Sequence, residues 1–400
     1  MNRRISTEEA ARRLGVKVET VYAYVSRGLL ESRREPAGGS TFALADVEEL
    51  LAGGRRRASR RAATFPFRSV DSALTEIRDG RLLLRGRDLA ELSRDRSFEQ
   101  AAALAWGQEP TAQRLDAPPA QLAAARRTVA ALPPADPAVR LRVAAAAAAA
   151  ADPLRYDLSP ASVVTSARGL LGCLLDALGT EPPGRRSAAS RLWRSLSPTR
   201  PPAGLLQVLD AALVLLVDHG LAASTVAARV AASTRADPYA VVSAGMAVLE
   251  GPLHGGASRE AHGLLLRVVS GRSAEAVVGE QLRSGRGVPG LGHPLYPEGD
   301  PRAAELLDRL EQAPAGRRAA AAARAVAAAA GRGGPAEPNV DLGLAALTVA
   351  GGLPAGAGEV VFAVSRTVGW TAHALEEYAE EPLRWRGREV PVSRPLPPPS

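Results

Sequence analysis

From about residue 65 onward, apolar residues recur at every third or fourth position, in stretches such as SFEQAAALAWG and LLQVLDAALVLLV. That period lines one face of an α-helix with apolar side chains. The runs are broken by proline and glycine clusters, PPAD, DPLR, EPPG and SPTRPP, which stop helices. β-type alternation is confined to SALTEIRDGRLLLRG, where a short hairpin is expected. The alanine-rich stretches 144–151 and 318–330 predict helices by propensity alone and carry no chemistry. The pattern is that of an all-α protein.

The first 52 residues follow a different plan. Ser6 and Glu9 form an S-x-x-E capping box. TEEAARRLGV then gives a short amphipathic helix that stops at Gly15, and VETVYAYVSRG gives a second that stops at Gly28. ESRREPAGGSTF has the turn residues of a small hairpin or wing, and LADVEELL the period of a third helix. Helix, tight turn, helix, wing and helix resemble a winged helix-turn-helix of the MerR/excisionase kind, with residues 18–27 as recognition helix. Residues 53–64, GGRRRASRRAAT, read as a basic linker, and 391–400 as a Pro-rich extended tail.

Composition narrows the classes. The chain has 400 residues, 46% hydrophobic and 23% charged, enough for a large buried core. Cys173 is the only cysteine, which excludes a disulfide framework and a cysteine zinc site. The N-terminus MNRRISTEEAARRLG has charge where a signal peptide is apolar, and the apolar run at 205–217 is too short to span a bilayer and contains Asp210. A cytoplasmic protein without membrane contact is expected. The net charge of +8 comes almost entirely from arginine, Lys17 being the only lysine. Alongside abundant Ala, Gly and Pro, this reflects a GC-rich coding sequence more simply than a polyanionic partner.

Two of the five histidines sit in glycine-rich turns, His254 in PLHGGA and His293 in GLGHPLY. Glycine lets a chain turn tightly or approach a ligand closely. Arg302 follows in a DPR turn, and PNVDLG places Asp341 between Val and Leu, a carboxylate emerging from an apolar wall. Two imidazoles and one carboxylate form an acid and base set with no nucleophilic Ser or Cys partner. HExxH, CxxC and Walker-type motifs are absent, so no metal site is expected.

In this order, GPLHGGA, SGRGVPGLGHPLYPEGDPRA, PNVD and FAVSRTVGWTAHALEE resemble the active-site signatures of the citrate synthase family. RLLLRGRDLAELSRDRSFEQAAALAWGQEPT resembles that family's N-terminal region, so the likeness spans roughly residues 66–390. The resemblance implies a large helical domain, residues 65–255 and 347–390, and a smaller mobile one, 256–346, that closes over substrate. It implies condensation of acetyl-CoA with oxaloacetate to citrate and CoA, a step of the tricarboxylic acid cycle, with acyl-CoA as co-substrate and no tightly bound cofactor. It also implies a homodimer or dimer-based oligomer.

By the same resemblance His254 hydrogen-bonds the thioester carbonyl, Asp341 removes a methyl proton, and His293 binds and protonates the oxaloacetate carbonyl. The proton is too weakly acidic for a carboxylate unless a donor stabilises the developing enolate. Arg302, Arg366 and Arg386 would grip substrate carboxylates, guanidinium being the bidentate partner for them. Arg386, with Arg384 as a competitor, would reach across the dimer interface. His219 would also bind oxaloacetate, and Arg286 with Pro289, Gly290, Leu291 and Gly292 would contact coenzyme A. His262 and His373 read as structural, and Cys173 as a buried small hydrophobe.

Departures from the family pattern are Gly220 and Ala222 after the DH pair, Ser258 for Asn, and Pro294 for Arg. They leave the acyl group open, and 2-methylcitrate synthase with propionyl-CoA is the alternative. A third reading is a DNA-binding regulator with a citrate synthase-like sensor body. Thr20, Tyr22, Tyr24, Ser26 and Arg27 would enter a groove, with Arg33 and Arg34 on phosphates. Yet residues 1–52 hold eight basic and eight acidic side chains, so a docking or dimerisation module stands equally.

Overall fold

The computed structural model describes residues 70–111, 113–180, 186–251, 254–331 and 336–386, and, nearer the N-terminus, 4–14, 16, 18–26, 30, 32–34, 40–44 and 47. The chain divides into two units, Met1–Asp71 and Ser72–Ser400.

In the first unit, β1 (Arg4–Ser6), β2 (Ser32–Arg34) and β3 (Ser40–Ala43) form an antiparallel sheet in the order β1-β3-β2. β2 and β3 are the expected wing. β1 was not legible, because three residues are too few to show a period. Ile5 faces Phe42 across the β1–β3 pair, and both are buried with Ala10, Ala11, Val21 and Val47. This core is closed by α1 (Thr7–Leu14) and α2 (Val18–Ser26). Ser6 caps α1 by accepting from the Glu9 N–H at 3.3 Å. The Glu9 carboxylate turns outward to Arg12 and Arg13, so the capping box is half formed. The expected third helix, the basic linker and the Pro-rich tail lie largely or wholly outside the described residues.

The second unit opens with the expected hairpin, β4 (Thr75–Arg78) and β5 (Arg81–Leu84), extended by β6 (Arg87–Asp88). Helices follow: α3 (Leu89–Asp95), α4 (Phe98–Ala105), α5 (Pro119–Ala130), α6 (Pro137–Ala150), α7 (Pro160–Asp176) and α8 (Ala188–Leu196). Next come α9 (Leu205–Leu215), α10 (Ala223–Ser233), α11 (Pro238–Leu249), α12 (Ala257–Val269) and α13 (Ala274–Arg283). The last are α14 (Pro301–Gln312), α15 (Arg317–Ala330), α16 (Val340–Ala350) and α17 (Ala357–Tyr378). Pro119, Pro137, Pro160, Pro238 and Pro301 all sit in a first turn, where the missing N–H costs nothing. Prolines that interrupt the apolar period therefore also start helices.

α17 is buried along almost its whole length and packs against α4, α6, α7, α9, α10, α11, α12 and α16. A helix enclosed on all sides must satisfy its polar groups internally. Thr371 accordingly accepts from the Trp106 indole at 2.9 Å, and Ser365 donates to the Leu213 carbonyl at 2.5 Å. Helices α12 to α16 pack on one another, and α16 also touches α9 and α17. Among the described residues, no helix is long and apolar enough to cross a membrane.

Candidate active site

The site is assembled from five chain segments. Behind α9 the chain reaches Asp218 and His219, both buried. Asp218 Oδ2 accepts from Thr75 Oγ1 (2.6 Å) and from the Gly220 N–H (3.0 Å), which fixes the turn that carries His219. His219 Nε2 lies 2.9 Å from the Tyr296 hydroxyl, and its ring meets that of His293 edge-on, centroids 5.1 Å apart.

His293 and Asp341 lie on segments that are joined by backbone pairing. The Gly292 N–H donates to the Glu337 carbonyl (2.8 Å), the Asn339 N–H to the Gly290 carbonyl (2.9 Å), and Leu291 bridges Pro338. The Asn339 side chain donates to the Gly292 carbonyl (2.9 Å) and accepts from the Asp341 N–H (3.0 Å), so it caps α16 and locks the loop at once. Gly290 has φ +84°, and a Cβ there would lie 2.8 Å from that of Leu342. Only glycine allows this close approach.

Arg302 is buried and held bidentately by Asp300, through Nε (2.9 Å) and Nη2 (2.8 Å). Asp300 also caps α14 and accepts from the Val340 N–H (3.0 Å), tying the starts of α14 and α16 together. Asp341 stands in the first turn of α16. The residue is partly exposed, but its Oδ1 is shut from solvent without a hydrogen-bond partner among the described residues. Burial pushes its pKa up to about 7, against the pull of Arg302 and reinforced by Asp300 and Glu359.

From α17, Arg366 enters fully buried. Its Nε donates to the Leu216 carbonyl (2.8 Å), and its guanidinium lies over the Phe362 ring at 4.7 Å. Nη1 and Nη2 have no hydrogen-bond partner among the described residues. Burial pulls its pKa down to about 10, and nearby Arg302 adds to the effect. A buried guanidinium with two unsatisfied N–H edges is a site for an anion.

His254 follows the end of α11, with Nε2 2.9 Å from Ser224 Oγ and its ring edge-on to Phe362. A Cβ on Gly255 would come within 2.6 Å of the Leu249 carbonyl oxygen, so this glycine serves the close turn against α11 rather than space for a ligand. Burial, then Arg366, pulls the His254 pKa down to about 4. Burial and Arg302 lower those of His219 and His293 as well. All three rings are therefore neutral near pH 7. His293 Nδ1 accepts from the Leu295 N–H (3.2 Å), which leaves the proton of the neutral ring on Nε2.

The structure thus gathers His219, His293 and Arg302 around Tyr296, sets His254 and Arg366 against Phe362, and ties the start of α16, where Asp341 stands, to Arg302 through Asp300. Arg386 is exposed beyond α17 and makes no side-chain hydrogen bond or ion pair to this cluster. Its competitor Arg384 is bound bidentately by Glu377, both contacts at 2.7 Å. Arg286 is exposed, near the Pro289–Gly292 loop, and donates to Ser284 Oγ at 3.1 Å. His262 pairs with Thr348 and His373 with Arg229 and Asp218, all buried, and Cys173 lies in the core. Sequence reasoning missed Ser224, Tyr296, Asp300 and Phe362. Tyr296 and Asp300 stand inside quoted motifs, yet nothing in a linear pattern shows that they face His219 and Arg302.

The family model for the citrate synthase C-terminal domain matches residues 66–388. The chain belongs to the citrate synthase family. A helix-turn-helix domain model matches residues 5–55. The chain is 31% identical over 333 residues to citrate synthase of Haloferax volcanii, covering 76% of this chain and 88% of that one. It is 30% identical over 190 residues to 2-methylcitrate synthase 2 of Corynebacterium glutamicum, 47% of this chain and 49% of the other. Its structure is similar to that of Thermoplasma acidophilum citrate synthase in ternary complex with carboxymethyl coenzyme A and oxaloacetate, with TM-score 0.69 and 25% identity over 83% of this chain and 96% of that chain. The protein is an acyltransferase of the class that converts the acyl group to an alkyl group on transfer, and this family uses coenzyme A thioesters without a tightly bound cofactor.

Proposed function

We propose that the protein is a citrate synthase that condenses acetyl-CoA with oxaloacetate. The observation that carries this reading is that Asp341 keeps a buried carboxyl oxygen and Arg366 a buried guanidinium edge without hydrogen-bond partners among the described residues, in a chain whose site histidines are neutral. Asp341 takes a proton from the thioester methyl group while His254 donates a hydrogen bond to the thioester oxygen. The enol carbon then attacks the oxaloacetate carbonyl, whose oxygen receives a proton from the Nε2 side of His293. Arg302, Arg366 and His219 hold the oxaloacetate carboxylates and carbonyl, with Arg386 as the third guanidinium, supplied across a dimer interface. Arg286 and residues 289–292 contact coenzyme A. Hydrolysis of the thioester releases citrate and the thiol. Neutral rings suit these roles, because an imidazolium at His254 beside Arg366 would be expelled by charge repulsion.

Propionyl-CoA is the alternative substrate, supported by the likeness to the Corynebacterium enzyme. One methylene is worth about 1–3 kcal/mol in a fitted pocket. Thiol release by the purified protein with oxaloacetate and either thioester separates the two by kcat/KM, and absence of turnover with both overturns the reading.

The helix-turn-helix match and the β2–β3 wing support a second function, DNA binding by the N-terminal unit. Mobility shift of promoter DNA by the full chain, lost on deletion of residues 1–52, tests it. The balanced charge of that unit makes a docking role the outcome if no shift is seen.

A further inference from the structure

We propose that Glu377 is a positioning residue that holds Arg386 in place for the substrate carboxylate, through a buried chain of hydrogen bonds that ends beside His219. The proposal rests on the reading of Arg386 as a substrate ligand.

Glu377 lies in the last turn of α17 with no side-chain exposure. It accepts from Arg384 Nε and Nη2 (both 2.7 Å), from Trp385 Nε1 (2.8 Å) and from Arg229 Nε (2.9 Å). The carboxylate is saturated, and two of its partners belong to the turn that ends in Arg386. That turn is strained: Leu383 has φ +58°, a conformation that a γ-branched residue adopts only where its surroundings impose it. The Leu383 N–H donates to the Ser233 carbonyl (2.9 Å) and the Arg386 N–H to the Leu383 carbonyl (3.1 Å), so the turn is pinned at both ends. Glu377 thus serves two ends at once: it neutralises the buried Arg229 guanidinium and holds the strained turn that leads to Arg386.

The chain continues inward. Arg229 Nη1 lies 2.8 Å from His373 Nδ1 and 2.8 Å from Glu376 Oε2. A carboxylate only accepts, so His373 donates from Nε2 to Asp218 Oδ2 at 3.3 Å. The same Asp218 oxygen accepts from the N–H of Gly220, the residue after His219. Arg229, His373, Asp218 and Glu377 are all fully buried. None touches substrate in the proposed mechanism. They fix the backbone on which His219 and Arg386 stand.

The test is steady-state kinetics on the full chain for Trp385→Phe, Arg384→Ala, Arg386→Ala and the Arg384→Ala/Arg386→Ala double variant. Trp385→Phe and Arg384→Ala lie at the outer end of the chain, and Arg229 still pairs with Glu377 in both; Tm recorded for each variant separates lost positioning from lost stability. Loss of one to two hydrogen bonds of positioning raises the oxaloacetate KM about threefold in Trp385→Phe and about tenfold in Arg384→Ala, with kcat and acyl-CoA KM within about twofold. The double variant matches Arg386→Ala alone, because a residue that acts through Arg386 has nothing left to position. Additive effects overturn the proposal and make Arg384 a ligand in its own right. So does an unchanged oxaloacetate KM in both Arg384→Ala and Trp385→Phe while Arg386→Ala raises it. If Arg386→Ala itself leaves KM unchanged, the reading of Arg386 falls, and the anchor with it.

Discussion

His219 Nε2 and the Tyr296 hydroxyl are 2.9 Å apart, which joins the segment behind α9 to the histidine turn before α14. Tyr296 is buried, its ring 4.9 Å from that of His293, and burial raises its hydroxyl pKa to about 12. The hydroxyl therefore stays protonated and serves as an uncharged partner that orients His219. In Tyr296→Phe the ring packing survives while the buried imidazole loses its partner, at a cost of about 1–3 kcal/mol. The oxaloacetate KM is expected to rise about tenfold, with a smaller change in kcat. A KM within twofold of wild type would mean that His219 is oriented by the remaining contacts alone.

Asp341 ties catalysis to stability. Its folded pKa is raised from 3.8 to about 7, so the fold favours the protonated acid. This contribution is fully present below the unfolded value and is lost as the pH rises through about 7. At pH 8 the ionised group costs the fold on the order of 4 kcal/mol. Asp341→Asn should therefore abolish thiol release yet raise Tm at pH 8, with the gain closing at pH 4. For wild type, kcat/KM should fall on acidification with a midpoint near 7, because only the carboxylate is a base. An acid limb between pH 4 and 5 would show that the essential base is an ordinary exposed carboxylate instead.

The sequence carried the helical body, the wing and the order of the motifs, because each rests on local periodicity or on contiguous residues. The motifs that hold His254, His293 and Asp341 were readable for the second reason. What escaped is what depends on segments meeting. Ser224 beside His254 and Phe362 beneath Arg366 belong to helices whose apolar pattern says only that they are buried. β1 pairs with β3 over three residues, too few for any period. Arg384 and Arg386 stand in one basic stretch, and that Glu377 binds the first is visible only in the folded chain.

Arg366 makes a prediction about ligand linkage. Its Nη1 and Nη2 are buried and unpartnered, so the guanidinium is a cost to the protein until an anion arrives. Oxaloacetate at one hundred times its Kd should stabilise the wild type by about 2.7 kcal/mol. Arg366→Met keeps the volume over Phe362, removes a buried guanidinium that the field of Asp218 only partly offsets, and leaves no carboxylate grip. Its Tm without ligand is expected to equal or exceed that of wild type, and oxaloacetate is expected to shift it no further. A thermal scan with and without ligand measures both. An equal ligand-induced shift in the variant would remove Arg366 from the binding site.

Gly290 supplies the sharpest test of how the site is assembled. The Gly290–Gly292 backbone pairs with residues 337–339, and that pairing brings the His293 turn against the start of α16, where Asp341 stands. Alanine at 290 would carry a Cβ at φ +84° and 2.8 Å from the Leu342 Cβ. The strain costs about 1–3 kcal/mol, and relieving it requires residues 289–292 to lift away from α16. His293 and the base would then separate while neither side chain is altered. Near-attack geometry tolerates little displacement, and an error of about 1 Å costs roughly a hundredfold in rate. Gly290→Ala should therefore lose about two orders of magnitude in kcat, with a Tm fall far smaller than unfolding of the body would produce. Leu342→Ala in the same chain keeps the Cβ, Cα and N that crowd position 290 as well as the φ requirement, so it should restore none of the rate. Full activity in Gly290→Ala would show that the pairing of the two loops is incidental to the alignment of His293 with Asp341.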